Sequence, residues 1–324
     1  LIEQAARRLE ELKRAGIEVP SPGSPDGSGR YATAGTASVP ERLVATQAAT
    51  PGPFRPAAKP EHEAGSRAIL AAPRAEPRRS KAIEIDLQKL AAAGYVTPTA
   101  PRSQLADELR VIKRPLIANA QGKSAAPVAM ANLIMITSSL PGEGKTFMSI
   151  NLAISIAMEL DTTVLLVDAD VSRPAIPGRL GIAQERGLLD LLTSRDLDVA
   201  DVMLRTNIDR LSILPAGTPH SRATELLASE GMTRLVEEMA GRYPERILVF
   251  DAPPLLPSTE SRVLATHMGQ VVVVVEADRT PQSSVTQALA TIESCPVVMT
   301  ILNKVPRSHL GSYYGYYGSY GYGP

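Results

Sequence analysis

Four consecutive apolar residues, Leu133, Ile134, Met135 and Ile136, run into a loop of mostly small residues at 137–144, then into Lys145, Thr146 and Phe147 and a helical apolar pattern. Few local sequences restrict a fold as tightly. An apolar run of this length beside a turn-forming stretch reads as a strand buried on both faces. A glycine-rich loop between such a strand and a helix points backbone N–H groups inward, beside the positive end of the helix dipole, and that arrangement cradles polyphosphate. In the common pattern a Gly or Ala is separated by four residues from Gly-Lys-Ser/Thr. Ser139 holds the first place here, with Gly144, Lys145 and Thr146 in the others. The expected nucleotide contacts are Pro141, Gly142, Glu143, Gly144, Lys145, Thr146 and Phe147. Lys145 would reach the β- and γ-phosphates of ATP, and the Thr146 hydroxyl would hold Mg²⁺.

The stretch 132–305 alternates. Apolar runs at 133–137, 164–168, 211–214, 246–251, 270–276 and 297–302 are rich in Val, Ile and Leu. Helical patterns fall between them, the longest at 146–160 and others at 187–193, 221–227, 232–241, 259–265 and 281–294. Alternation of this kind predicts an α/β fold, a mostly parallel sheet with helices on both faces, and ligands of such sheets bind at the carboxyl ends of the strands.

Two of the runs end in carboxylates. The strand at 164–168 leads to Asp168 and Asp170, which alternation puts on one side, about 7 Å apart along the chain. Such a pair beside a phosphate loop can hold Mg²⁺ or accept a proton from a nucleophile, and the sequence leaves open which of the two is base and which is metal contact. The run at 247–250 ends in Asp251, whose carboxylate is placed to reach the metal, and Pro253 and Pro254 stiffen the turn beyond it. The expected metal set is therefore Thr146, Asp170 and Asp251, and the expected catalytic set Lys145, Asp168 and Asp170. Asn303, after the last run, is an expected adenine contact. Arg173 and Arg222 read as solvated surface charge, with a phosphate or interface contact as the alternative. His62, His220, His267 and His309 lack metal-ligand spacing, and Cys295, ahead of Pro296, reads as packing.

The flanks differ in kind. Residues 1–16 place Ile2, Ala5, Leu9, Leu12 and Ala15 at helical spacing and end at Gly16, an amphipathic helix. Residues 17–102 hold twelve of the 27 prolines and few apolar residues, which predicts a disordered linker with a short helix or strand near 83–90. The main domain is expected at 103–305, opening on a helix through Leu105, Leu109, Ile112 and Leu116 that Pro115 would kink or end. Residues 306–324 form a tail in which Gly and Ser surround Tyr313, Tyr314, Tyr316, Tyr317, Tyr320 and Tyr322, six of the nine tyrosines in the chain. Beside a phosphate-transfer site, flexible phenols read as phosphate acceptors. Charge is balanced, 34 basic against 34 acidic, so no general attraction to nucleic acid follows. One cysteine suits a reducing compartment, and no apolar run approaches the ~18 residues of a membrane helix, which predicts a cytoplasmic protein.

The phosphate loop at 138–146, the Asp168 and Asp170 strand end through Pro174, the run into Asp251 and the tyrosine tail together resemble the bacterial tyrosine autokinases (BY-kinases) of capsule and exopolysaccharide systems. The flanks and Lys113-Arg114-Pro115 are also similar to the exosortase-associated subgroup. The resemblance implies a P-loop NTPase architecture like that of the septum-site and partition ATPases, with ATP and Mg²⁺ bound. It implies phosphorylation of the tail in trans within a homo-oligomer, activation by a membrane-embedded polysaccharide chain-length-control protein, attachment to the inner membrane through that partner, and reversal by a tyrosine phosphatase. Partition ATPases carry an early loop lysine where this chain has Leu140. The family's Glu-x-x-Arg-x-x-Arg ring-assembly helix has its nearest match in Asp107, Arg110 and Lys113, where Lys cannot replace the planar fork of Arg. Two other readings share these residues: an ATPase of the partition or septum-site type, and a nucleotide-binding scaffold with an interaction tail.

Overall fold

The computed structural model describes residues 80–99, 103–194, 196–242 and 245–306. The expected helix at 1–16, residues 17–79 of the expected linker and the six tail tyrosines lie outside the described residues. At the centre is an eight-stranded sheet in the order β1-β4-β5-β3-β6-β2-β7-β8. Its strands are β1 (Lys81–Ala82), β2 (Leu133–Ser138), β3 (Thr163–Asp168), β4 (Leu204–Arg205), β5 (Leu211–Leu214), β6 (Arg246–Asp251), β7 (Gln270–Glu276) and β8 (Val297–Asn303). Every pairing is parallel except β4 with β5. The helices are α1 (Leu87–Ala92), α2 (Gln104–Ala120), α3 (Lys145–Ala157), α4 (Ile176–Leu180), α5 (Leu188–Thr193), α6 (Val199–Val202), α7 (Ala223–Leu227), α8 (Glu230–Arg242), α9 (Thr259–Ala265) and α10 (Gln282–Ala290).

Side-chain alternation divides each central strand between two cores. Ile134 and Ile136 of β2 join Leu90 of α1, Leu109 and Leu116 of α2 and Ile150 and Ile154 of α3 on one face. Leu133 and Met135 join Leu188 of α5, Val236 of α8, Leu264 of α9 and Ala288 of α10 on the other. With both faces covered, the central strands read as continuous apolar runs rather than alternating ones. Helix α3 is buried almost all round, from Thr146 to Ala157, because α2 and the segment around α1 cover the side that the sheet does not.

Two expectations are corrected. The expected linker at 17–102 is folded beyond the short element expected near 83–90, which α1 overlaps: β1 pairs with β4, Asp86 caps α1, and Leu90, Tyr95 and Val96 are buried. These short elements gain their stability from the sheet edge and α3, which no local pattern records. Of the two outcomes expected at Pro115, an end to the helix is ruled out, because α2 runs through it to Ala120. The proline removes the hydrogen bond to the carbonyl of Val111, and both residues lie on the exposed side of the helix, where water can serve that carbonyl. Leu109 and Leu116, both fully buried, hold the helix on either side of it.

Candidate functional site

Strand order builds the site. β6 lies between β2 and β3, with Ile136 of β2 and Asp168 of β3 both in register with Asp251. The phosphate loop, Asp251 and Asp168 therefore stand side by side at the carboxyl ends of three adjacent strands.

The loop itself is tightly held. Gly144 caps α3 at φ +103, in the left-handed region, and a Cβ there would meet the Asn303 amide nitrogen at 2.2 Å. Glycine is required at this position for both reasons. Pro141 and Gly142 are exposed at the loop tip, and Glu143 is buried. The Glu143 carboxylate turns back into the protein, accepting from the Leu140 N–H at 2.6 Å and from the Thr280 hydroxyl. Its contribution is to fix the loop's shape, leaving backbone N–H groups for a ligand. Asn303 donates through Nδ2 to the Glu143 carbonyl at 2.8 Å, so it lies against the loop with its amide oxygen free of that bond. Lys304 joins the same group, donating to the Gly142 carbonyl at 2.8 Å and to Glu276 at 3.0 Å.

Lys145 Nζ lies 2.7 Å from Asp170 Oδ2, with both side chains largely buried. Asp170 Oδ1 also accepts from the Arg173 N–H at 3.2 Å, while the Arg173 side chain is exposed, as is Arg222. Asp168 accepts from the Ile176 N–H at 3.1 Å through Oδ2, and its Oδ1 is buried without a partner. Asp251 Oδ1 accepts from the Ser149 hydroxyl at 3.0 Å, and its Oδ2 is likewise buried without a partner. Burial, reinforced by Asp251 and Asp170 nearby, pushes Asp168 up to about 7. Burial pushes Asp251 up to about 6, against the pull of Lys145 and the hydroxyls of Thr146 and Ser149.

The orphaned oxygen of Asp251, with the Thr146 hydroxyl and the Asp170 carboxylate near it, makes a hard-oxygen donor set that suits Mg²⁺. Among the described residues no cluster of three or more His, Cys, Asp or Glu side chains could hold a metal. Any cation here would be shared with phosphate oxygens and water, as Mg²⁺ commonly is at nucleotide sites.

Several supporting residues carry no sequence signal. Ser149 steers Asp251 from inside α3. Arg262 of α9 donates to the carbonyls of Leu255 and Leu256 at 2.9 and 2.8 Å, and the Leu255 N–H donates to the Ser138 carbonyl at 2.8 Å. The turn beyond Asp251 is thus fastened to the start of the phosphate loop. Of the expected assembly motif, Asp107 and Arg110 pair with each other at the surface. Lys113 points inward, donating to the Ser155 carbonyl at 2.6 Å and pairing with Glu159 at 2.6 Å. Cys295 is buried, which raises its thiol pKa, and it is free. No helix among the described residues is long and apolar enough to cross a membrane.

The AAA domain family matches residues 131–302. The tyrosine-protein kinase CpsD of Streptococcus agalactiae is 30% identical over 58% of this chain and 81% of its own length. The succinoglycan biosynthesis transport protein ExoP of Rhizobium meliloti is 31% identical over 68% of this chain, which spans only 27% of that longer protein. In the crystal structure of the VpsO kinase domain, 30% identical, the whole domain aligns with 63% of this chain at a TM-score of 0.50.

Proposed function

Because this chain belongs to the bacterial tyrosine-protein kinases, with an AAA domain at residues 131–302, we propose that it transfers the γ-phosphoryl group of ATP to its own C-terminal tyrosines. The observation that carries this reading is the meeting of the phosphate loop with two buried, partnerless carboxylate oxygens, on Asp168 and Asp251.

Backbone N–H groups of the loop and the start of α3 hold the phosphates, and Lys145 exchanges Asp170 for the β- and γ-phosphates. Thr146, Asp170 and Asp251 would hold Mg²⁺, which would draw charge off the phosphate oxygens. Asn303 offers its amide oxygen to the exocyclic amine of adenine. Asp168 is the base: its carboxyl near neutral pKa can take the phenol proton in its ionised form, while Asp170, once Lys145 turns to the phosphates, is taken up as a metal contact. The phenol oxygen bonds to the γ-phosphorus as the bond to the β–γ bridging oxygen breaks, leaving ADP. Positioning and charge stabilisation carry most of such a transfer.

The acceptors are Tyr313, Tyr314, Tyr316, Tyr317, Tyr320 and Tyr322, entering the site of a neighbouring chain in a homo-oligomer. Each phosphate adds about −1.5 to −2 charge, so a fully modified tail repels its neighbours and loosens the assembly. A tyrosine phosphatase resets it. The polysaccharide role named for ExoP supports a place in exopolysaccharide synthesis or export, with a membrane-embedded chain-length-control protein as activator and as the link to the inner membrane.

Labelled ATP and Mg²⁺, incubated with the unaltered chain and with Lys145→Ala, test the reading. Label on tail tyrosines of the unaltered chain alone is the expected result. Phosphate release without label on tyrosine would point to an ATPase.

A further inference from the structure

Residues 80–97 lie outside the stretch matched by the AAA domain, yet they are fastened to the helix that carries the phosphate loop. Their far end is anchored at the sheet edge. The Ile83 N–H donates to the Arg205 carbonyl at 2.8 Å, and Asn207 makes a two-way contact with the backbone of Ile85 at 2.9 and 3.0 Å. α1 then carries the chain across the first core through Leu90. The near end reaches the opening of α3. The Val96 N–H donates to Asn151 Oδ1 at 2.8 Å, and the same side chain donates through Nδ2 to the Phe147 carbonyl at 2.8 Å. The Tyr95 and Phe147 rings pack with centroids 4.9 Å apart, at 45°. Phe147 follows Thr146 directly, and Asn151 is fully buried.

We infer that residues 80–97 form a strap that sets the first turn of α3, with Tyr95 and Asn151 as positioning residues for nucleotide binding. The inference rests on the nucleotide site proposed above. Lys145, Thr146 and the N–H groups at the opening of α3 must meet phosphate oxygens together, and a small displacement of that turn misplaces all of them. Asn151 is the joint. It accepts from the strap and donates to the turn with one amide, so neither side moves without the other. Tyr95 adds its ring. Its hydroxyl is buried without a partner, so the ring and not the phenol oxygen does the positioning.

The test uses the full chain with ADP–Mg²⁺ as probe, reading dissociation constant and Tm together. Asn151→Leu and Tyr95→Leu are expected to weaken ADP–Mg²⁺ binding about tenfold, whereas Tyr95→Phe should leave it within about twofold. Met239→Ala, in the core on the opposite face of the sheet, is the control: it should lower Tm comparably and keep ADP affinity within about twofold. In the unaltered chain, ADP–Mg²⁺ should also slow hydrogen exchange at the Val96 amide along with the amides opening α3. Unchanged ADP affinity in both strap variants, an equal loss in Met239→Ala, or unchanged exchange at Val96 would overturn the strap. Failure of the unaltered chain to bind ADP would overturn the nucleotide site itself, and the strap with it.

Discussion

At the scale of single residues, the site is built from groups kept in costly states. Asp168 and Asp251 stand in register on neighbouring strands, both buried, each with one oxygen lacking a partner. A carboxyl whose folded pKa is raised binds more protons folded than unfolded, so its contribution to stability falls as pH rises. For Asp168 the window runs from about 4, its ordinary value, to about 7. Asp168→Asn is therefore expected to raise the Tm of the ligand-free chain at pH 8 by a few degrees, on the order of 1–2 kcal/mol, and to give almost no gain at pH 4. Calorimetry at the two pH values checks this, and the same variant should lose about 100-fold or more in phosphoryl transfer. Gly144→Ala should cost roughly 1–3 kcal/mol in denaturant unfolding and weaken ADP binding, because the left-handed backbone and the Asn303 amide both exclude a Cβ. Asp168, Asp251 and Gly144 could be picked from the sequence because each sits at a fixed offset from an apolar run. Ser149, Arg262 and the inward turn of Glu143 could not, since a side chain's direction within a helix or loop is settled by what packs against it.

At the scale of elements, α2 joins the phosphate-loop helix to the protein's surface. Lys113, one of three residues aligned with the family's assembly motif, fastens the C-terminal end of α3 through the Ser155 carbonyl and Glu159. Lys113→Ala should lower stability by about 1.5–3 kcal/mol, the usual worth of a hydrogen bond to a charged group, in a urea titration. Pro115→Ala should raise it by about 1–3 kcal/mol, by restoring the bond to the Val111 carbonyl in a helix that is already continuous. The sequence predicts a kink or an end at Pro115, and the end fails because local propensity weighs the lost bond alone. Burial of Leu109 and Leu116 on either side outweighs it. β6 and β7 span the predicted residues end to end, because double-sided burial writes an uninterrupted apolar run. β1 and β4, two residues each, leave no such mark and exist through their neighbours in the sheet.

At the scale of the whole molecule, the sheet brings residues from three separate stretches of chain to one end, and the proposal is that a fourth stretch, the tyrosine tail, is what they act on. The gathering of these residues was legible because a parallel sheet places strand-end residues together whatever the intervening sequence. The strap was not, because its contacts join residues some 55 positions apart, Val96 to Asn151, inside a proline-rich stretch. Transfer in trans is tested by mixing two variants of the chain with labelled ATP and Mg²⁺. One carries Lys145→Ala and an intact tail, and the other has an intact site with all six tail tyrosines changed to Phe. The expected result is label on the tyrosines of the Lys145→Ala chain in the mixture and on neither chain alone. ATP turnover by the mixture with no phosphotyrosine on that tail would contradict it.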